Sequence, residues 1–176
     1  NCMYKCTRNF YEEPVNIRNT KLIAAQNGYD TVIGEIKAGT ADGKKVAVVG
    51  AGPSGLTCAG DLARLGYKVT VFEAFHTAGG VLMYGIPEFR LPKAIVQKEV
   101  DALKSLGVEI MTNMVIGKVL SIDELMEMGY EAVFVGSGAG LPRFMKIPGE
   151  NLNGVFSANE YLTRTNLMKA YRDDCA

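Results

Sequence analysis

Apolar and polar positions divide the chain into zones of different period. Up to residue 43 the periodicity is weak; it predicts one short helix from about Asn19 to Asn27, and the stretch Lys37–Gly43 has a linker's composition. From residue 44 to 156, short β-like runs alternate with stretches at helical spacing. Lys45–Val49 is a β-branched run that suits a strand buried on both faces. Pro53 stands where a first helical residue belongs, with φ fixed and no N–H to lose. Leu56, Ala59, Ala63 and Leu65 follow near helical spacing, and Gly66 ends the helix. Lys68–Phe72 alternates as a second strand, which completes a βαβ unit. Further on, the pattern predicts a helix over Pro92–Leu106, with Val96, Val100 and Leu103 on one face, and a strand over Val108–Thr112. Ser121-Ile-Asp-Glu124 reads as a capping box opening a short helix that Gly129 closes. Glu131–Val135 reads as the next strand, and Ser157-Ala-Asn-Glu160 repeats the capping pattern before a last helix. The class is therefore α/β: a Rossmann-like, mostly parallel sheet covered on both faces and preceded by a short helical segment.

Charge adds an exclusion. With 19 basic and 19 acidic side chains there is no basic stripe, so neither nucleic acid nor an anionic membrane surface is expected as a partner. No apolar run reaches the length of a membrane span, and Asn1–Phe10 is too polar for a signal peptide, so a cytoplasmic protein is expected. The first residue is Asn rather than Met, from which a trimmed or processed chain is expected. Among the four cysteines, Cys58 falls in an apolar helix as a free buried thiol, and Cys175 says little.

The chemistry concentrates at Gly50-x-Gly52-x-x-Gly55, between the first strand and its helix. Gly50 permits the tight turn, Gly52 lets backbone approach a pyrophosphate, and Gly55 lets helix and strand pack closely. The helix start offers free N–H groups and the positive end of its dipole to phosphate. Glu73, at the end of the second strand, is placed to accept hydrogen bonds from an adenosine ribose. The Gly79-Gly80 pair would let a further stretch of backbone pass close to the rest of a dinucleotide. On the residues alone, FAD and NAD both remain open. His76, the one histidine, is expected on an exposed loop, and Met111, Met114 and Met126 are expected as core fillers.

Val46–Arg90 resembles the flavoproteins typified by the small (beta) subunit of NADPH-dependent glutamate synthase. The electron-input part of dihydropyrimidine dehydrogenase and the ferredoxin–NADP transhydrogenases are similar. The strings that carry the resemblance are V-A-V-V-G-A-G-P-S-G-L (46–56), V-F-E (71–73), A-G-G-V-L (78–82) and G-I-P-E-F-R-L-P-K (85–93). It continues through Ala132–Gly140, I-P-G-E (147–150) and E-Y-L (160–162). The resemblance implies FAD contacts at Gly50, Ala51, Gly52, Ser54 and Gly55 and at Glu73. It also implicates Gly80, Val81, Arg90 (toward phosphate or flavin) and the strand edge near Ile116. Gly136–Gly140 is expected to close the FAD domain rather than to form a second nucleotide loop.

The same resemblance makes residues 1–36 the tail of an iron–sulfur helical domain, with Cys2 and Cys6 as iron ligands followed by Pro14-Val15-Asn16-Ile17. Two thiolates fall short of the four that a cluster needs, so no cluster is expected on this chain alone. Residues 37–43 become the linker, 44–162 the N-terminal part of the FAD domain, and 163–176 the crossover toward an NAD(P)H domain lying outside this sequence. The expected function is a piece of a flavin-dependent oxidoreductase that passes electrons from NAD(P)H through FAD to iron–sulfur clusters. Its partners would be a larger parent polypeptide or large catalytic subunit, with ferredoxin a further candidate. No side chain of this chain is expected to be catalytic, and the piece alone is expected to be inactive. The competing reading is a non-catalytic dinucleotide-binding or interaction module. A second glycine-rich βαβ unit downstream in the parent would favour the enzyme. A plain NAD-binding domain is disfavoured by the 85–93 string.

Overall fold

The computed structural model describes residues 2–172, so Cys175 lies outside the described residues. The chain forms two compact units, Asn1–Lys37 and Ala38–Ala176.

In the first unit a 3-10 turn over Thr7–Phe10 precedes helix α1, Ile17–Glu35. This helix runs well beyond the expected 19–27. Gly28 and Gly34 sit inside it with nothing near them, so each lowers helix propensity by about 1 kcal/mol without meeting a clash that would end the helix. Its apolar residues are spread round the axis rather than gathered in a stripe, and none is buried; Leu22, Ile23 and Val32 are exposed. That is why periodicity saw only part of it.

The second unit is built on four parallel strands: β1 (Lys45–Val49), β2 (Lys68–Phe72), β3 (Glu109–Met111) and β4 (Ala132–Val135), in the order β3-β2-β1-β4. Val48 pairs with Val71 on one side and with Phe134 on the other. Between the strands run α2 (Pro53–Arg64), the short α3 (Val81–Tyr84), α4 (Lys93–Ser105) and α5 (Ile122–Glu127), and α6 (Ala158–Asn166) closes the series. The first two strands match the sequence expectation to the residue; β3 is shorter than Val108–Thr112, β4 starts one residue late, and Pro92 caps α4 instead of opening it. The α3 turn had no counterpart in the pattern.

Each face of the sheet has its own core. Val48, Val69 and Val71 pack under Leu56, Ala59 and Ala63 of α2 and Val100 of α4. Ala47 and Phe72 point the other way, against Leu125 of α5 and Tyr130, whose ring meets Phe72 edge-on at 5.8 Å. β2 does not alternate in burial as expected. Its Thr70 is buried as well, because the hydroxyl donates to Oε2 of Glu109 on the neighbouring strand at 3.1 Å. Leu65, placed by spacing on the buried face of α2, is exposed at the helix end. Met114 packs against the second core as expected, but Met111 and Met126 are exposed, since their elements end at the surface there. Cys58 is only partly buried; burial pushes its thiol up, and Asp61 adds to the effect.

Both capping signals locate true helix starts. At α5 the box is complete: Ser121 Oγ accepts from the Glu124 N–H, and the Glu124 carboxylate accepts from the Ser121 N–H at 2.6 Å. At α6 it is half made. Ser157 Oγ accepts from the Glu160 N–H, but the Glu160 carboxylate turns to Arg164 at 2.8 Å, because the cation one turn on is the stronger partner.

Candidate functional site

The site lies where the sheet's C-terminal edge meets the first turn of α2. Gly50 leaves β1 with φ of 100°, a conformation that a side chain resists. Its N–H donates to Phe72 O at 2.8 Å, and the Gly136 N–H donates to Val49 O at 2.8 Å, so the ends of β2, β1 and β4 are stitched together under the turn. The Gly136–Gly140 stretch thus begins as a strand end packed on Gly50. A Cβ on Gly50 would run into the Gly136 carbonyl, and one on Gly55 into the Gly50 carbonyl and to within 3.2 Å of Val48 Cγ1. These two glycines are fixed by packing.

Gly52 is different. Its backbone is ordinary extended chain at φ −77°, and a Cβ there would touch only Gly80 Cα, at 4.0 Å. Pro53 has no N–H, and the N–H groups of Gly52, Ser54 and Gly55 have no acceptor among the described residues. Leu56 is the first residue of the turn to find one, donating to Gly52 O at 2.9 Å. A helix start with unpartnered N–H groups and a neighbouring surface that lacks side chains is chemically an anion cradle.

Glu73 is buried, at 5 % exposure, and not the surface carboxylate that a packing-only reading of the motif requires. Its Oε2 accepts from the Ala51 N–H at 2.7 Å and its Oε1 from the Phe75 N–H at 2.9 Å. Each oxygen therefore keeps a lone pair for a further donor. One consequence is that the Ala51 N–H is committed to Glu73 and not open toward the cradle. On the far side, the Met114 N–H donates to Glu73 O, and the Asn113 N–H to Phe75 O at 3.0 Å. The segment leading to Ile116 is thereby drawn against the Glu73 loop, while the Ile116 side chain packs on the second core.

The Gly79-Gly80 pair closes the other wall. The Gly79 N–H donates to Ala51 O at 2.8 Å, and a Cβ on Gly80 would come within 2.6 Å of Gly52 Cα. Val81, 44 % exposed, follows at the start of α3. The fold thus gathers Gly50, Ala51, Gly52, Ser54, Gly55, Glu73, Gly80 and Val81 about one glycine turn. The Arg90 side chain is exposed, with no hydrogen bond or ion pair among the described residues. Cys2 and Cys6 belong to the first unit; hydrogen bonds from the Val15 and Arg8 backbone hold the Cys6 thiol below its ordinary value. His76 is exposed.

Two residues that sequence reasoning passed over join the site. Lys93 Nζ donates to the carbonyls of Leu82 at 2.8 Å, Leu91 at 3.3 Å and Ile86. Asn166 of α6 donates to Tyr84 O at 2.8 Å. Burial pushes the Lys93 ammonium down, and the Glu88 carboxylate partly offsets this.

The residues present fit the adenosine diphosphate half of a dinucleotide: free N–H groups for the diphosphate and a fixed carboxylate for the ribose. Among the described residues, no three His, Cys, Asp or Glu side chains are grouped to hold a metal.

Known proteins resemble the chain over most of its length. The family described as pyridine nucleotide-disulphide oxidoreductase matches residues 44–173. Glutamate synthase [NADH] of Saccharomyces cerevisiae is 40 % identical over 162 residues, covering 92 % of this chain and 8 % of that protein. The glutamate synthase [NADPH] small chain of Bacillus subtilis is 38 % identical over 175 residues, covering 98 % and 34 %. Among solved structures, Mycobacterium tuberculosis FprA in complex with NADPH superposes with a TM-score of 0.61 at 27 % identity, covering 69 % of this chain and 28 % of that one. The chain therefore spans about a third or less of the length of these relatives.

Proposed function

The chain belongs to the pyridine nucleotide-disulphide oxidoreductase family, and from that premise we propose that its second unit holds the adenosine diphosphate half of FAD in a larger flavin-dependent oxidoreductase. The observation that carries this reading is the carboxylate of Glu73, buried and anchored on the glycine turn at 2.7 Å, beside a helix start whose N–H groups are unpartnered.

In this reading Gly52, Ser54 and Gly55 donate backbone hydrogen bonds to the diphosphate, and the positive end of α2 stabilises its charge. Glu73 accepts from the ribose hydroxyls with the lone pairs that Ala51 and Phe75 leave free. Its negative charge disfavours a ribose that carries a phosphate, which separates this site from one for NADP(H). Gly80 lets backbone stay close to the diphosphate, Val81 offers an apolar surface beyond it, and the backbone near Ile116 borders the adenosine side. Arg90, exposed and without a partner among the described residues, supplies a cation toward phosphate or flavin. No residue of this chain moves a proton in the reaction. When bound, the flavin would supply the chemistry that links a hydride donor to single-electron acceptors.

For the whole protein, the relatives' names support NAD(P)H as donor; iron–sulfur clusters as acceptors, and a large catalytic subunit, a longer parent polypeptide or ferredoxin as partner, rest on the sequence resemblance alone. Cys2 and Cys6 would contribute two ligands to a cluster completed elsewhere. No helix among the described residues is long and apolar enough to cross a membrane; a cytoplasmic place is part of the proposal.

The test is to incubate the purified chain with excess FAD, desalt it and record its absorbance, with a parallel ADP titration by calorimetry. Retained flavin absorbance and ADP binding, both lost in Gly52→Ala, support the reading. A chain that binds neither refutes it.

A further inference from the structure

We propose that Lys93 is a positioning residue whose ammonium group fixes the Gly79–Leu91 loop as the wall on which the flavin-side half of the dinucleotide rests. This rests on the dinucleotide reading above. Lys93 is the first residue of α4, where a cation opposes the helix dipole, so local helix energetics argue against lysine there. A residue at odds with its local structure is held by something else. Here that is a set of carbonyls: the three ammonium hydrogens match three acceptors, Leu82, Ile86 and Leu91. Leu82 lies within α3, which is one turn long and leaves its last carbonyls without helical partners. Asn166 takes a fourth carbonyl, that of Tyr84. Glu88 completes the clamp by accepting the Lys93 N–H at 3.1 Å.

The loop held in this way begins at Gly79 and Gly80, which touch Ala51 and Gly52. The diphosphate donors Gly52, Ser54 and Gly55 and the Glu73 carboxylate lie on the other side of that contact, and no hydrogen bond joins them to Lys93. Loosening the loop therefore weakens a ligand that extends past the diphosphate and spares one that ends there.

The experiment compares FAD and ADP affinity in the full chain and in Lys93→Met, with circular dichroism to check folding. FAD affinity is expected to fall about tenfold or more, the effect of losing one hydrogen bond to a charged group, while ADP affinity stays within about twofold. Amide exchange across Gly79–Leu91 should quicken in the ligand-free variant. Equal losses for both ligands would mean that Lys93 acts as a general charge or a fold residue, and would overturn the proposal; so would an unchanged FAD affinity. A wild-type chain that binds ADP but not FAD overturns it too, while leaving the cradle standing. One that binds neither brings down the parent reading and this inference with it. If Lys93→Met does not fold, Asn166→Ala is read by the same split: a selective loss for FAD supports the clamp, and a parallel loss or none overturns it.

Discussion

Gly55→Ala and Gly52→Ala separate what the glycine turn does for the fold from what it does for a ligand. A Cβ on Gly55 lands inside the Gly50 carbonyl, 3.1 Å from its carbon and 3.2 Å from Val48 Cγ1. The obstacle is backbone, held in place by the Gly50–Phe72 and Gly136–Val49 hydrogen bonds, so no side chain can swing away. Relief requires α2 and β1 to part by roughly 1 Å, and overpacking of that kind costs about 3 kcal/mol or more. Against a typical total of about 5–15 kcal/mol, that is a large loss, with a Tm lower by about 10 °C. Gly52→Ala meets only Gly80 Cα at 4.0 Å, in a backbone conformation open to alanine. Reduced freedom of the unfolded chain contributes about 0.4–1 kcal/mol, and the poorer N-cap removes about as much, so stability stays within about 1 kcal/mol of wild type. Its methyl group, however, is carried by a residue whose own N–H is one of the three unpartnered donors, on the side that faces Gly80. Dinucleotide affinity should then fall at least tenfold, about 1.4 kcal/mol. Thermal unfolding followed by circular dichroism and an FAD or ADP titration on the same samples read both effects. The reasoning fails if Gly55→Ala melts with wild type, or if Gly52→Ala binds as wild type does.

Two further predictions follow from other contacts. Glu73→Gln keeps the shape but turns an amide NH2 toward one of two N–H donors, at Ala51 or Phe75; it should cost about 2–3 kcal/mol, read as a lower urea midpoint, and an unchanged midpoint would show that neither bond matters to the fold. The capping box gives a pH dependence. Hydrogen bonds from the Ser121 backbone and then its hydroxyl hold the Glu124 carboxyl below its ordinary 4.5, so its stabilising effect is full above that value and is lost as pH falls through the lowered one. Ser121→Ala removes the hydroxyl but keeps the backbone N–H, so it should soften the acid limb of a stability–pH curve only in part while costing about 1 kcal/mol near neutrality through the lost cap; an identical curve in the variant would count against the box.

The amino-acid sequence by itself determined β1 and β2 to the residue, the starts of α2, α5 and α6, and the Gly50–Gly55 turn with its acid at Glu73. Those features are local. A strand buried on both faces is a continuous β-branched run, a cap is a four-residue pattern, and a glycine turn is spelled in its own residues. Tertiary structure alone decided the rest. Leu65 fits the α2 stripe yet lies exposed, because the chain that packs on the helix end, Gly39–Asp42, meets its backbone and leaves the Leu65 side chain uncovered. Glu160 turns to Arg164 instead of closing its box. The length of α1 escaped a reading that looks for stripes, because that helix has none. Lys93 and Asn166 were illegible because their partners are carbonyls, which every residue carries and no sequence distinguishes. Which carbonyls are left without helical partners depends on where α3 stops and on what the chain brings back to it: α4 at once, and α6 some eighty residues after Tyr84.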